Sequence, residues 1–265
     1  MIRALAVALA MAVMAGPAAA ETVSLYAAGS LKGALTDVAK AFEAASGNTV
    51  QAKFGASGLL KDEIASGAKA DVFASANMEH PQAILQAKKS GPVVLFARNR
   101  LCALVKPGLE VNSASLLERM LDPQIKLGIS TPKADPSGDY AIEVFRKAEA
   151  IKSGARAALE NKALQLTGGP SSPQPPPGRT IYGALVAQGA ADIFLTYCTN
   201  ALVAQKENPG QQVVTLTDML AVGADYGLTV MAGSSAAAQR LAEFIVSPAG
   251  QKILVSYGFA SGTQR

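Results

Sequence analysis

The chain has 265 residues, with 24 Lys and Arg against 20 Asp and Glu, a formal charge of +4 and 49% hydrophobic residues. That length suffices for two compact domains with a sizeable core. The interspersed charges, the absence of Trp and the few aromatics argue against a nucleic-acid surface.

The first twenty residues, MIRALAVALAMAVMAGPAAA, carry basic Arg3, an apolar run, Gly16-Pro17 and a closing Ala18-Ala19-Ala20. This is the pattern of a secretory signal peptide, and residues 1–20 are expected to be removed before Glu21. The apolar stretch is short for a bilayer span and ends in small residues, which disfavours a membrane anchor. Without Arg3 the mature chain holds 23 basic against 20 acidic residues, or +3. No later segment is long and apolar enough to span a membrane, and no cysteine stands at the cleavage site to carry a lipid. The expectation is an exported, soluble protein, free in the periplasm.

The mature chain alternates strand and helix. TVSLYAA reads as a strand, followed by a helix over residues 31–45 with Leu31, Leu35, Val38, Ala39 and Phe42 on one face. TVQAKFGA is a second strand, GLLKDEIASG a short helix closed by Gly67, ADVFASA a third strand, and residues 80–90 a helix. RLCALVKP then reads as a strand ending at Pro107, SASLLERML as a helix, IKLGIST as a strand and DYAIEVFRKAEAI as a helix. A loop follows whose Pro170–Gly178 stretch favours extended backbone. IYGALVAQGA reads as a helix, ADIFLTYC and YGLTVMAG as strands, and SSAAAQRLAEFIVSPAGQKILVSYGF as one or two helices. Strands separated by helices imply an α/β fold with mainly parallel sheets, and ligands in such sheets bind beyond the carboxyl ends of the strands.

Catalytic and metal chemistry find little support. His80, the single histidine, precedes Pro81 at an expected helix start, and no serine or cysteine lies in a nucleophile motif. No metal-ligand spacing and no phosphate-cradling glycine loop occurs, so neither a metal site nor a cofactor is expected. Cys102 and Cys198 are too far apart in sequence for a metal motif; in an oxidising compartment a disulfide is the preferred reading over two buried thiols. Its long loop would contribute about 4–5 kcal/mol in the chain-entropy picture.

What does recur is a strand, small residues, a serine and a helix. It occurs at AAGSLKGAL around Ser30, at FGASGLLKDEI around Ser57 and at STPKADPSGDYA around Ser137. One such turn alone reads as a helix cap. Three facing one cleft would present hydroxyls and free helix N–H groups to a single acceptor-rich ligand.

These stretches, with NRLCALVKP, PSGDYA, GALVAQGAADIFLTY followed by NA, and SPAGQKILVSYGF, resemble the periplasmic molybdate-binding proteins of ABC importers. The resemblance covers nearly the whole mature chain and is most specific from Phe54 to Ala76. It implies a two-lobed type II periplasmic-binding-protein fold with the ligand cleft between lobes. Lobe 1 would comprise residues 21–98 and 226–265, and lobe 2 residues 99–225, with a hinge crossed twice. It also implies a tetrahedral oxyanion, molybdate or tungstate, held by neutral donors and delivered by a monomer to a membrane permease. By motif, Ser30 and Ser57 would give hydroxyl and backbone N–H donors, Ser137 and Ile181 backbone N–H groups, and Tyr197 its phenol.

The chain departs from the family at Asp135 and Asp139, where carboxylates are unusual, at Tyr182, where arginine is usual, at Asn77, where an acid is usual, and in the longer PSSPQPPPG loop. A carboxylate facing a dianion opposes binding unless it points to solvent. Two alternatives stay open beside the molybdate reading. One is a receptor for a different small anion or polar solute on the same fold. The other is a secreted enzyme using the cleft, against which the missing nucleophile–base pair argues.

Overall fold

The computed structural model describes residues 20–262. The expected signal peptide, up to its last alanine, lies outside the described residues. Strand β1 (Thr22–Ala28) lies between β2 (Thr49–Gly55) and β3 (Val72–Ser75), all parallel. Helices α1 (Lys32–Ser46), α2 (Ser57–Ala65) and α3 (Glu79–Gln86) follow these strands in turn. Leu35, Val38 and Phe42 of α1 are buried, as the helical spacing predicts. A single 3-10 turn, Gly29–Leu31, separates β1 from α1.

Strand β4 (Val94–Val105) pairs antiparallel with β9 (Gly223–Val230) through Arg100. From Leu101 it pairs with β7 (Ile193–Tyr197), and from Cys102 also with β8 (Gln212–Thr215). Around β7 lie the parallel strands β5 (Leu127–Ser130) and β6 (Leu164–Thr167). The sheet order is β2-β1-β3-β9-β4-β7-β5-β6, with β10 (Ala260–Ser261) and β8 pairing with β4 off this path. Helices α4 (Leu116–Leu121), α5 (Pro136–Ile151), α6 (Ala155–Lys162), α7 (Ile181–Ala187) and α8 (Cys198–Glu207) flank the β5–β7 half. Helices α9 (Ala236–Val246) and α10 (Pro248–Ser256) return to the β1 half. This is the α/β, two-lobed type II arrangement.

Several elements differ from the sequence reading, each for a physical reason. Strand β4 begins at Val94 rather than Arg100, because Arg98 is accommodated on the strand through an ion pair with Asp225 across the ladder. Helix α6 buries only Ala155 and Leu159, so it shows no apolar stripe. Helix α8 was not expected at all, since its buried face consists of Thr199, Asn200, Ala201 and Ala204. Strands β6 and β8 are short and mostly unburied. The last helical stretch is two helices, parted at Ser247, whose Oγ accepts the Gly250 N–H at 3.3 Å ahead of Pro248. Among the described residues no helix is long and apolar enough to cross a membrane.

Candidate functional site

The three recurring strand-to-helix turns reach the carboxyl ends of β1, β2 and β5, but they are not alike. At the first, Ser30 does not cap α1: neither the 3-10 turn nor the helix has a side-chain cap bond. Its Oγ instead lies 3.0 Å from Tyr226 Oη, which accepts from Asn99 Nδ2 at 3.4 Å. Either hydroxyl can donate in the Ser30–Tyr226 pair, and when Tyr226 donates the Ser30 proton is available to a ligand. At the second turn, Ser57 opens α2, and its Oγ accepts the Ala76 N–H at 3.1 Å. That bond ties the start of α2 to the end of β3 and again leaves the hydroxyl proton free to donate.

The third turn has its own acceptor. Asp135 caps α5, and its Oδ1 accepts the Ser137 N–H at 3.0 Å. The donor that the resemblance assigns to a ligand is therefore bonded to a carboxylate of the chain itself. Ser137 is fully buried with an unpartnered Oγ, and Asp135, not Ser137, lines the cleft. Asp139 accepts the Lys133 N–H at 2.8 Å and takes no part in the cleft wall.

The remaining donors come from α7 and β7. Thr180 caps α7, its Oγ1 accepting the Gly183 N–H at 3.2 Å, while its C=O accepts from Ala184. Glu207 holds Thr180 in turn, accepting its N–H at 2.8 Å and its hydroxyl at 3.0 Å. The first-turn N–H groups of Ile181 and Tyr182 have no intrahelical acceptor, and both residues line the cleft. Tyr197 ends β7 with 1% exposure and an unpartnered Oη. Its neighbour Cys198 forms a disulfide with Cys102 on β4, whose preceding residue Leu101 stands opposite Tyr197 in the ladder. The bridge thus pins the strand end that presents the phenol. Tyr197 also stacks edge-on or tilted between Tyr140 and Tyr226, with centroids 6.2 and 5.6 Å away.

Ser30, Ser57, Asp135, Ile181, Tyr182 and Tyr197 share one cleft of about 810 Å³. Residues of the proline-rich loop, from Pro170 to Pro177, and Lys32 and Thr36 also line it. The five heavy atoms of a tetrahedral oxyanion would fill a small part of it. On one side the halves touch directly. Gly58 donates its N–H to the Ala134 C=O at 2.9 Å, and the Tyr140 hydroxyl donates to the Ala76 C=O at 3.3 Å. A Cβ at Gly58 would stand 2.4 Å from the Lys133 carbonyl oxygen, so the close approach requires glycine.

Burial governs the electrostatics. It pushes the Tyr182, Tyr197 and Tyr226 phenols well up, so all three remain neutral. Burial likewise drives the Asp135 carboxyl up to about 6 against the pull of the Ser137 N–H, with Asp139 adding a smaller push upward. Ser130 Oγ stands beside Asp135 and Tyr182 without a hydrogen bond of ordinary geometry to either. Among the described residues no group of three or more His, Cys, Asp and Glu is placed to hold a metal ion.

Residues 23–260 match the family described as bacterial extracellular solute-binding protein. The chain belongs to that family. Within this solute-binding family, an uncharacterised protein of Pasteurella multocida is 36% identical over 79% of this chain and 86% of its own. The molybdate-binding protein ModA of Haemophilus influenzae is 27% identical over 92% of each chain. The sulfate-binding protein SubI of Mycobacterium tuberculosis has the same fold, with a TM-score of 0.76, 19% identity and coverage of 91% of this chain and 87% of its own. The chain is thus a ModA-like type II solute-binding protein, and its homologues are binding proteins rather than enzymes.

Sequence reasoning missed several cleft residues. Asn200 lines the cleft from α8, an element without an apolar signal. Tyr226 supports Ser30 from 196 positions away, where no local pattern links the two. Asp135 was visible as a departure from the family, yet only the backbone path at α5 shows that it faces the cleft.

Proposed function

We propose that this solute-binding protein captures a tetrahedral oxyanion, molybdate or tungstate, in the cleft and delivers it to an ABC permease in the inner membrane. The observation that carries this reading is the convergence of neutral donor groups on one cavity: the Ser30 and Ser57 hydroxyls, the Ile181 N–H and the Tyr197 phenol. Neutral donors fixed at the cleft wall stabilise an anion and still permit release. Ser137 joins this set only when Asp135 gives up its N–H. The lobes are residues 21–98 with 226–265, and residues 99–225, closing on the ligand as a monomer. Export through a cleaved signal peptide places the protein in the periplasm. The reading needs no cofactor and no turnover.

A second reading, a different small anion or polar solute, is favoured by Asp135 and by a cleft much larger than one tetraoxo ion. Titration calorimetry of the ligand-free mature protein with molybdate, tungstate and sulfate tests the choice. One-to-one binding of the first two with sulfate silent supports the molybdate reading. Heat from none of the three moves the assignment to another solute.

A further inference from the structure

Asp135 is an anion seated where the oxyanion reading needs a donor. Its Oδ1 holds the Ser137 N–H at 3.0 Å. Its other oxygen is crowded by the loop after β6, where a Cβ on Gly168 would lie 2.6 Å from Oδ2 and 2.5 Å from the Asp135 Cβ. Gly168 has a φ of +79°, so glycine is required there on both counts. The half-buried carboxylate is therefore held at the cleft wall by the Ser137 N–H and the neighbouring Gly168 backbone.

The groups facing it come from every element packed around it. Helix α5 supplies the Ser137 N–H and the carboxylate of Asp139, and the end of β5 supplies Ser130 Oγ. Helix α7 supplies the Tyr182 phenol, and β7 the Tyr197 phenol. No salt bridge to Asp135 is present among the described residues, and the cations of the cleft lining are Lys32 of α1 and Arg179 ahead of α7. One feature independent of the cap marks this corner as a ligand site. Tyr197 Oη, on a residue 1% exposed that lines the cleft, is without a partner.

We propose that Asp135 is the specificity-determining residue of the cleft: an oxyanion binds beside it only together with one proton, held between the Asp135 carboxyl and a ligand oxygen. The inference rests on the oxyanion reading above and deepens it. The balance is simple. Either the free protein already carries the proton on Asp135, or one is taken up from solvent, or the ligand brings it as a hydrogen oxyanion. In each case no bond to the ligand is made or broken, and the complex holds one proton more than the deprotonated protein and the bare dianion. Without that proton, two anions in one water-poor corner repel strongly. With it, the repulsion becomes a donated hydrogen bond of the charge-assisted kind.

The sign follows from the acid's position. The Asp135 carboxyl titrates at about 6 in the ligand-free protein, and a bound anion beside it raises that further. Binding therefore takes up a proton at pH above about 6 and none well below it.

The test is calorimetry of molybdate binding to the mature protein between about pH 5.5 and about pH 8.5, in buffers of different ionisation enthalpy. The expected result is uptake of close to one proton per molybdate above pH 6, with affinity falling roughly tenfold for each further pH unit. Asp135→Asn should bind with no proton uptake and a flat pH profile. Asn and Ser both cap a helix as well as Asp, so Asp135→Ser serves as a second variant, with thermal melts confirming that each is folded. Wild-type binding without proton uptake overturns the proposal while leaving the oxyanion reading intact. A pH slope that persists in both variants does the same. If folded wild type and both variants bind no oxyanion at any pH, the oxyanion reading itself falls and takes the proposal with it.

Discussion

The starts of α2 and α5 make an instructive pair. Both follow a strand of a mainly parallel array, both carry a serine in the first turn, and both point into the same cleft from opposite lobes. At α2 the residue before the helix is Ala56, which brings no charge to the cleft, and Ser57 Oγ accepts the Ala76 N–H, leaving its hydroxyl proton for a ligand. At α5 that residue is Asp135, whose carboxylate takes the Ser137 N–H and presents a negative charge to the cleft. One side chain at the cap position thus separates a donor from an anion that competes with the ligand. A serine at a helix start is read correctly only together with the residue before it.

Breaking the lobe that carries the competitor gives the largest expected effect. Cys198→Ser removes the bridge to Cys102 and frees the strand end bearing Tyr197. Denaturant unfolding should show a loss of about 2–5 kcal/mol relative to the oxidised wild type. Installing the α5 arrangement at α2 comes next. Ala56→Asp places a carboxylate beside Ser57, and oxyanion affinity measured by calorimetry should drop by about 100-fold or more. Unit charges about 4 Å apart repel by about 4 kcal/mol at an effective dielectric near 20, which sets that scale.

Smaller effects sharpen the contrast. Ser57→Ala should lower oxyanion affinity by about 10- to 100-fold, the loss of one hydrogen bond to a charged group, and should also lower stability by about 1–3 kcal/mol because the buried Ala76 N–H loses its acceptor. Asp135→Asn keeps the cap and removes a crowded charge. Because the folded carboxyl titrates at about 6 and the unfolded one near 3.8, the folded state binds more protons between those values. Wild-type stability therefore falls as pH rises through that window, whereas the variant should lack the drop and melt higher at pH 8; equal melting profiles would remove the crowding argument. The smallest effect belongs to Ser137→Ala. Its Oγ is buried, unpartnered and off the cleft wall, so affinity and stability should both stay within about twofold and about 1 kcal/mol of wild type.

Much of this protein was legible from its amino acids. The apolar period of α1, the turn glycines and the serine-bearing strand ends are local features, each set by a few neighbouring side chains. The elements that escaped, α6, α8, β6 and β8, bury small or polar residues or very little, so they leave no periodic signal to read. The site divides in the same way. Ser30, Ser57, Ile181 and Tyr197 sit in local motifs, and all line the cleft. The Tyr226 and Asn99 chain that reaches Ser30 joins residues brought together only by the tertiary fold, Tyr226 and Asn99 through the β4–β9 pairing. Asp135 shows the limit most clearly. The sequence by itself determined that a carboxylate precedes Pro136 at a helix start. Whether that carboxylate lay away from the cleft or on its wall depended on its bond to Ser137 and the crowding by Gly168. Only the tertiary structure decided it, because the direction of a capping side chain is set by what packs around the helix end.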